Sequence, residues 1–136
     1  MKIILFTNSL LPVIGGREIV VHHLARSLNR LGHSARVVCR SRFWRDRKVR
    51  FDYPVHRWPA LKGLRCDEVM PAELLLDILA WGCDVVHAHN TYPTGYAAAR
   101  LKKLLRLPLV ITPHGEDIHV VPEIGFGQRL DPAQGG

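Results

Sequence analysis

Residues 2–31 read KIILFTNSLLPVIGGREIVVHHLARSLNRL, and this stretch decides the fold. Residues 2–7 are an apolar run of strand length. Gly15 and Gly16 make a turn, and after Glu18 the apolar residues Val20, Leu24, Leu28 and Leu31 recur at helical spacing. Gly32 then supplies a C-terminal stop. A buried strand passing through a glycine turn into an amphipathic helix is the first half of a βαβ unit. Such a turn lets backbone N–H groups approach a phosphate, and the helix N-terminus adds partial positive charge there. A side chain at either position would hold a ligand away, and glycine also tolerates the φ > 0 that such turns often need. A plain strand-to-helix corner with no ligand explains the pair equally well.

The turn is neither familiar phosphate loop. Ile14 precedes the glycines and Arg17, Glu18 and Ile19 follow, so there is no G-x-G-x-x-G, and no Gly-Lys-Ser/Thr ending marks a P-loop.

Outward from this stretch, strand and helix alternate. Residues 34–40 read as a second strand and 55–58 as a short one before Pro59. A helix is expected over 71–80, with Pro71 in its first turn. Residues 84–89 are the next strand, a helix opens at Thr94 or Gly95 and runs to about Leu105, and 109–112 are a last strand. The pattern predicts an α/β fold, a Rossmann-like parallel sheet flanked by helices with right-handed crossovers, over residues 1–121. Residues 122–136, with two prolines and four glycines, read as an irregular tail. Ligands of such sheets bind at the carboxyl ends of the strands. The loops there are 8–16, 40 onward, 89–94 and 113–117.

The chain of 136 residues is one domain in size, and its 47% apolar content suits a globular core. Cys39, Cys66 and Cys83 form no C-x-x-C, which predicts reduced thiols in a cytoplasmic protein rather than a disulfide framework. The N-terminal apolar run is too short and interrupted for a secretory signal, and Asp77 and Asp84 break the longest apolar region, so no membrane span is expected. The net charge of +7 is uneven. Arg40, Arg42, Arg45, Arg47, Lys48 and Arg50 crowd together with Phe43, Trp44 and Phe51, opposed by Asp46. Such a patch suits an anionic membrane surface or a phosphorylated substrate, or is simply a solvated basic loop. Nucleic acid is disfavoured, since the segment has neither helical periodicity nor a nucleic-acid-binding motif.

The residues able to carry chemistry gather at strand ends. His87 and His89 are two apart on one strand and share a face. His114-Gly115-Glu116-Asp117 and His119 follow the next strand. His87, His89 and His114 together with a carboxylate permit a metal site, so a metal-dependent hydrolase is an alternative reading. The plainer one packs His87 inside the sheet and brings only His89 to the cleft. No serine lies in G-x-S-x-G, which argues against a hydrolase nucleophile, and the carboxylates Glu116 and Asp117 are adjacent, which argues against a glycosidase pair.

Taken in order, Gly15-Gly16-x-Glu18 before a helix ending Leu31-Gly32-His33, then Asp84-Val85-Val86-His87-Ala88-His89, then Thr112-Pro113-His114-Gly115-Glu116-Asp117 resemble the N-terminal domain of family 4 glycosyltransferases. Those are retaining enzymes of GT-B architecture, with two Rossmann-like domains facing across a cleft. The resemblance implies that the backbone at Gly15 and Gly16 faces the diphosphate of a nucleotide-sugar donor. It implies that Glu18 and His89 lie on the acceptor side, though Glu18 also suits a helix cap. His114 and Asp117 would be the catalytic pair, His114 beside the transferred sugar and Asp117 orienting its loop or binding a substrate hydroxyl. The segment with Arg42, Trp44, Arg45, Arg47 and Lys48 resembles the membrane-facing patch of members that use lipid acceptors.

The family's second domain brings an Arg and a Lys to the leaving diphosphate, together with an E-x7-E motif. No two glutamates here stand at that spacing. The expectation is therefore a shortened N-terminal domain with little or no transferase activity alone, pairing with a separate C-terminal half. A nucleotide sugar and an acceptor are the expected substrates, with no metal or other cofactor. A cytoplasmic location, peripheral at the inner membrane face, is expected. A stand-alone binding module is the second reading.

Overall fold

A computed structural model describes residues 1–41, 46 and 48–124. The expected patch residues Arg42, Trp44, Arg45 and Arg47, and residues 125–136 of the expected tail, lie outside that set.

Five strands form one parallel sheet: β1 (Lys2–Phe6), β2 (Ser34–Ser41), β3 (Val55–Pro59), β4 (Val85–His89) and β5 (Leu109–Thr112). Their spatial order is β3-β2-β1-β4-β5. The chain moves outward from β1 to β3, then crosses back to lay β4 on the other side of β1. The order reverses between β1 and β4, the point where open α/β sheets leave a crevice for ligands. Helix α1 (Gly16–Arg30) joins β1 to β2, α2 (Cys66–Trp81) joins β3 to β4, and α3 (Tyr96–Leu105) joins β4 to β5.

Both faces of the sheet are covered, so the inner strands are apolar on both sides. On β1, Ile4 and Phe6 face Met70, Leu74, Ala97 and Leu101 of α2 and α3. Ile3 and Leu5 face Val21 and Ala25 of α1 on the opposite side. The packing of α1 keeps Leu24 and Leu28 of the stripe expected from its sequence against this core and corrects the rest. Val21 and Ala25 are buried, whereas Val20 and Leu31 are exposed. Val21 and Ala25, four residues apart, share the face that meets Ile3 and Leu5, and Val20 falls about 100° round the helix from Val21.

Other departures have local causes. Helix α2 starts at Cys66, more than a turn before the expected start. Pro71 sits inside it and forgoes a single bond to the preceding turn, while Asp67 and Glu68 complement the dipole at the true start. Residues 122–124 form a short 3-10 turn where an irregular tail was expected. Gly32 ends α1 as expected, at φ +87°, a conformation that a side chain would strain. Among the described residues, no helix is long and apolar enough to cross a membrane.

Candidate functional site

The loop after β1 is organised by Glu18. Its carboxylate is buried at 4% exposure and accepts hydrogen bonds from the Ser9 hydroxyl and from Arg17 Nη2, the latter at 2.7 Å. Burial pushes this carboxyl up, but bonds from Ser9, Arg17 and its own backbone N–H outweigh it and hold the group below its usual range. Arg17 Nη2 also reaches the Ser9 oxygen at 2.7 Å, closing a three-residue ring of bonds.

This ring gives the two glycines different jobs. Gly15 precedes α1 with φ −163°, extended backbone that any residue adopts. A Cβ there would stand 2.5 Å from Glu18 Oε2. What a side chain at 15 would meet is therefore the carboxylate, and the positive φ expected from the sequence is found at neither glycine. A Cβ at Gly16 would meet nothing within 4 Å. Gly16 opens onto free space at the N-terminus of a 15-residue helix, where backbone N–H groups lack intrahelical partners.

Across the switch point, β4 carries His87 and His89 on one face, their rings stacked with centroids 4.4 Å apart. His87 Nε2 is hydrogen-bonded to Thr112 Oγ1 on β5 at 2.7 Å. His89 is fully buried, and its Nδ1 lies 3.0 Å from Nε2 of His114. Burial above all, then the proximity of His87 and His114, drives the His89 pKa down to about 3. Burial likewise lowers His87 and His114, with the Arg17 charge adding to the effect at His114. All three imidazoles are neutral at pH 7. His89 Nε2 is buried with no hydrogen-bond partner.

Asp117 fastens the loops after β4 and β5 to each other. One carboxylate oxygen accepts the Thr91 N–H at 2.6 Å and the other accepts the His114 N–H at 3.0 Å. Burial raises this carboxyl, but the backbone N–H bonds reverse the shift and keep it ionised. At 5% exposure Asp117 supports the cleft from beneath rather than lining it. Asn90, at φ +86°, turns the chain out of β4. Gly95 closes that turn, and a Cβ there would stand 2.8 Å from the Asn90 carbonyl oxygen.

These loops enclose a cleft of about 410 Å³ lined by Gly15, Gly16, Arg17, Glu18, Val20, Asn90, His114 and Glu116. Of the residues expected at a site, Gly15, Gly16, Glu18 and His114 line it together, while His89 and Asp117 lie underneath. Lys48, the described member of the basic patch, is not among the lining residues. Arg17, Ser9 and Asn90 were not expected. Each is the immediate or near neighbour of a residue that was, and polar side chains beside a glycine turn or a strand end are the signal that could have found them. The histidines do not converge on a common point: their ring nitrogens meet one another and Thr112. Among the described residues no group of three or more His, Cys, Asp or Glu could hold a metal ion, which removes the ligand set on which the hydrolase alternative rested.

The arrangement can do two things chemically. The start of α1, open at Gly16 and flanked by the Arg17 guanidinium, favours an anion. The neutral His114 ring, held by His89 and Asp117, offers its remaining nitrogen as a hydrogen-bonding group at fixed position.

The family model for Glycosyltransferase Family 4 matches residues 14–132. A stretch of 44 residues is 41% identical to a Bacillus subtilis (strain 168) protein named "Putative teichuronic acid biosynthesis glycosyltransferase TuaC". That stretch is 32% of this chain and 11% of the relative, so the match spans about a tenth of the relative's length.

Proposed function

The chain belongs to glycosyltransferase family 4, and from that premise we propose that it forms the acceptor-side, N-terminal half of a GT-B enzyme that moves a sugar from a nucleotide-sugar donor to an acceptor. The observation that carries this reading is the shared cleft, in which the open helix start at Gly16 and the neutral His114 face the same space at the switch point of the sheet.

In this reading the donor diphosphate lies against the backbone at Gly15 and Gly16, where the free N–H groups and dipole of α1 oppose its charge. The bond from the anomeric carbon to the diphosphate oxygen breaks, a bond to an acceptor hydroxyl oxygen forms, and the acceptor proton leaves with the nucleoside diphosphate. His114 hydrogen-bonds the transferred sugar as a neutral imidazole. Asp117 acts through His114, holding its backbone. Glu18 and Ser9 fix Arg17 and the glycine loop beside the acceptor.

The same reading makes catalysis depend on groups outside these 136 residues, because a single helix start and one guanidinium leave most of the departing diphosphate charge unopposed. The test is an assay of this chain with labelled nucleotide sugars and a panel of acceptors. The expected result is no transfer and no donor hydrolysis. Multiple turnovers by the purified chain would contradict the proposed dependence on a second half.

A further inference from the structure

A second crevice, of about 350 Å³, lies on the other side of the loop after β1, over the carboxyl ends of β2 and β3. Its walls are Leu10, Val13 and Cys66, and two guanidiniums, Arg40 and Arg57, reach it. The size is that of a small-molecule site. Three observations set it apart from a surface groove.

First, Arg40 is held in the interior, its side chain 5% exposed, and almost all its bonds go to neutral acceptors. Nη1 donates to Cys66 Sγ at 3.1 Å and Nη2 to the Pro59 carbonyl at 3.3 Å. Its Nε forms an ion pair with Glu73 Oε2 at 3.4 Å, but neither atom makes a hydrogen bond. A buried guanidinium with an unused donor is costly unless something completes it. Second, Arg57 is spent on neutral groups as well, donating to the Leu11 carbonyl at 2.6 Å and to Cys39 Sγ at 3.7 Å. Third, the described walls of the crevice carry two guanidiniums, Arg40 and Arg57, against one carboxylate, Asp46, which accepts from the Ser41 hydroxyl at 3.2 Å.

We infer that this crevice binds the anionic end of a small organic ligand, a phosphate monoester or carboxylate, with Arg40 and Arg57 holding the anion and Leu10, Val13 and Cys66 packing its body. Resting on the glycosyltransferase reading, that ligand is the acceptor, which would then carry a negative charge. Ser9 connects the two clefts, since it lines this crevice and also bonds Glu18 beneath the glycine loop.

Cys66 lines the crevice, so occupancy can be read from the wild-type chain by the rate at which iodoacetamide alkylates it, with Cys83, outside the crevice, as the internal reference. A hexose phosphate should slow alkylation of Cys66 saturably while the neutral hexose does not. Arg57→Gln should weaken this protection by about tenfold or more, the loss of a charge-assisted pair. Arg40→Gln strands Glu73 and is a harsher variant, so Arg57 is the primary one. Vesicles bearing phosphatidic acid make the second arm. Protection by the vesicles alone identifies the anion as a lipid headgroup, and protection by the hexose phosphate identifies a soluble ligand. Protection by neither, or protection unchanged in Arg57→Gln, overturns the inference. Nucleotide-sugar binding at Gly16 is measured separately and does not depend on either result.

Discussion

His89 and His114, 25 residues apart in sequence, face each other with Nδ1 of one 3.0 Å from Nε2 of the other. One ring must donate and the other accept, so the pair is stable only while at most one proton lies between these nitrogens. Burial of His89 enforces that neutrality.

A pH dependence of stability follows. The unfolded chain protonates His89 at its ordinary pKa of 6.5, the folded chain only near 3. Stability is thus fully present above 6.5 and is lost as pH falls below it, by about 1.4 kcal/mol per pH unit for this one group until the folded pKa is reached. The lowered His87 and His114 add in the same direction. Urea unfolding at pH 7.5 and pH 5 should show a clear drop in midpoint, and His89→Phe should reduce the drop. Equal midpoints would show that His89 is not held neutral.

Asp117→Ala removes the acceptor for two backbone N–H groups at once. Each charge-assisted bond is worth about 1.5–3 kcal/mol locally. Amide exchange at Thr91 and His114 should accelerate by at least about tenfold, with the sheet itself little changed. Asp117→Asn keeps one good acceptor and should lie between. Unchanged exchange in the Ala variant would deny Asp117 its positioning role.

Gly15→Ala drives a methyl group into Glu18 Oε2. Glu18 must then shift, which disturbs the Oε1 bonds to Ser9 and Arg17, at a cost of about 1–3 kcal/mol for an overpacked site. Gly15→Ala combined with Glu18→Ala should recover part of that loss in chemical denaturation. If the double variant is as unstable as the sum of the singles, the contact is not the reason for glycine at 15.

Asp77 is 2% exposed and accepts from His56 Nδ1 at 2.6 Å and from Trp58 Nε1 at 2.7 Å. It ties the edge strand β3 to α2. Asp77→Ala leaves two polar groups unpaired and should destabilise the domain by about 3 kcal/mol, with Trp58 emission shifting to the red. A loss below about 0.5 kcal/mol, the usual range for a surface change, would refute that anchoring role.

Much of this architecture is legible in residues 2–31 and in the later apolar runs: β5 falls on 109–112 as read, and β1, β2 and β4 to within a residue. Apolar runs bounded by breakers carry that information locally. What escaped depends on tertiary partners. Asp77 reads as a charge interrupting an apolar stretch until His56 and Trp58 meet it from a neighbouring strand. Pro71 pulls the expected helix start a turn too late, because proline's preference for a first turn is a tendency that the acids Asp67 and Glu68 outweigh here. At the site, the residue types at strand ends point to the cleft, but the separate duties of Gly15 and Gly16 depend on where the Glu18 side chain lies.

A diphosphate cradled at the start of α1 would sit against Gly16. A methyl group there meets nothing in the protein, and replacing glycine near a helix start leaves stability equal or higher by up to about 1 kcal/mol. It would, however, occupy the space into which a diphosphate comes. The measurement is a titration of backbone amide shifts with nucleoside diphosphates and their sugars, in the wild-type chain and in Gly16→Ala. Saturable shifts are expected at Gly15, Gly16, Arg17 and His114, with affinity lowered about tenfold or more in the stable variant. Absence of saturable shifts with every diphosphate tried, or equal affinity in the two proteins, would contradict a diphosphate cradle at the start of α1.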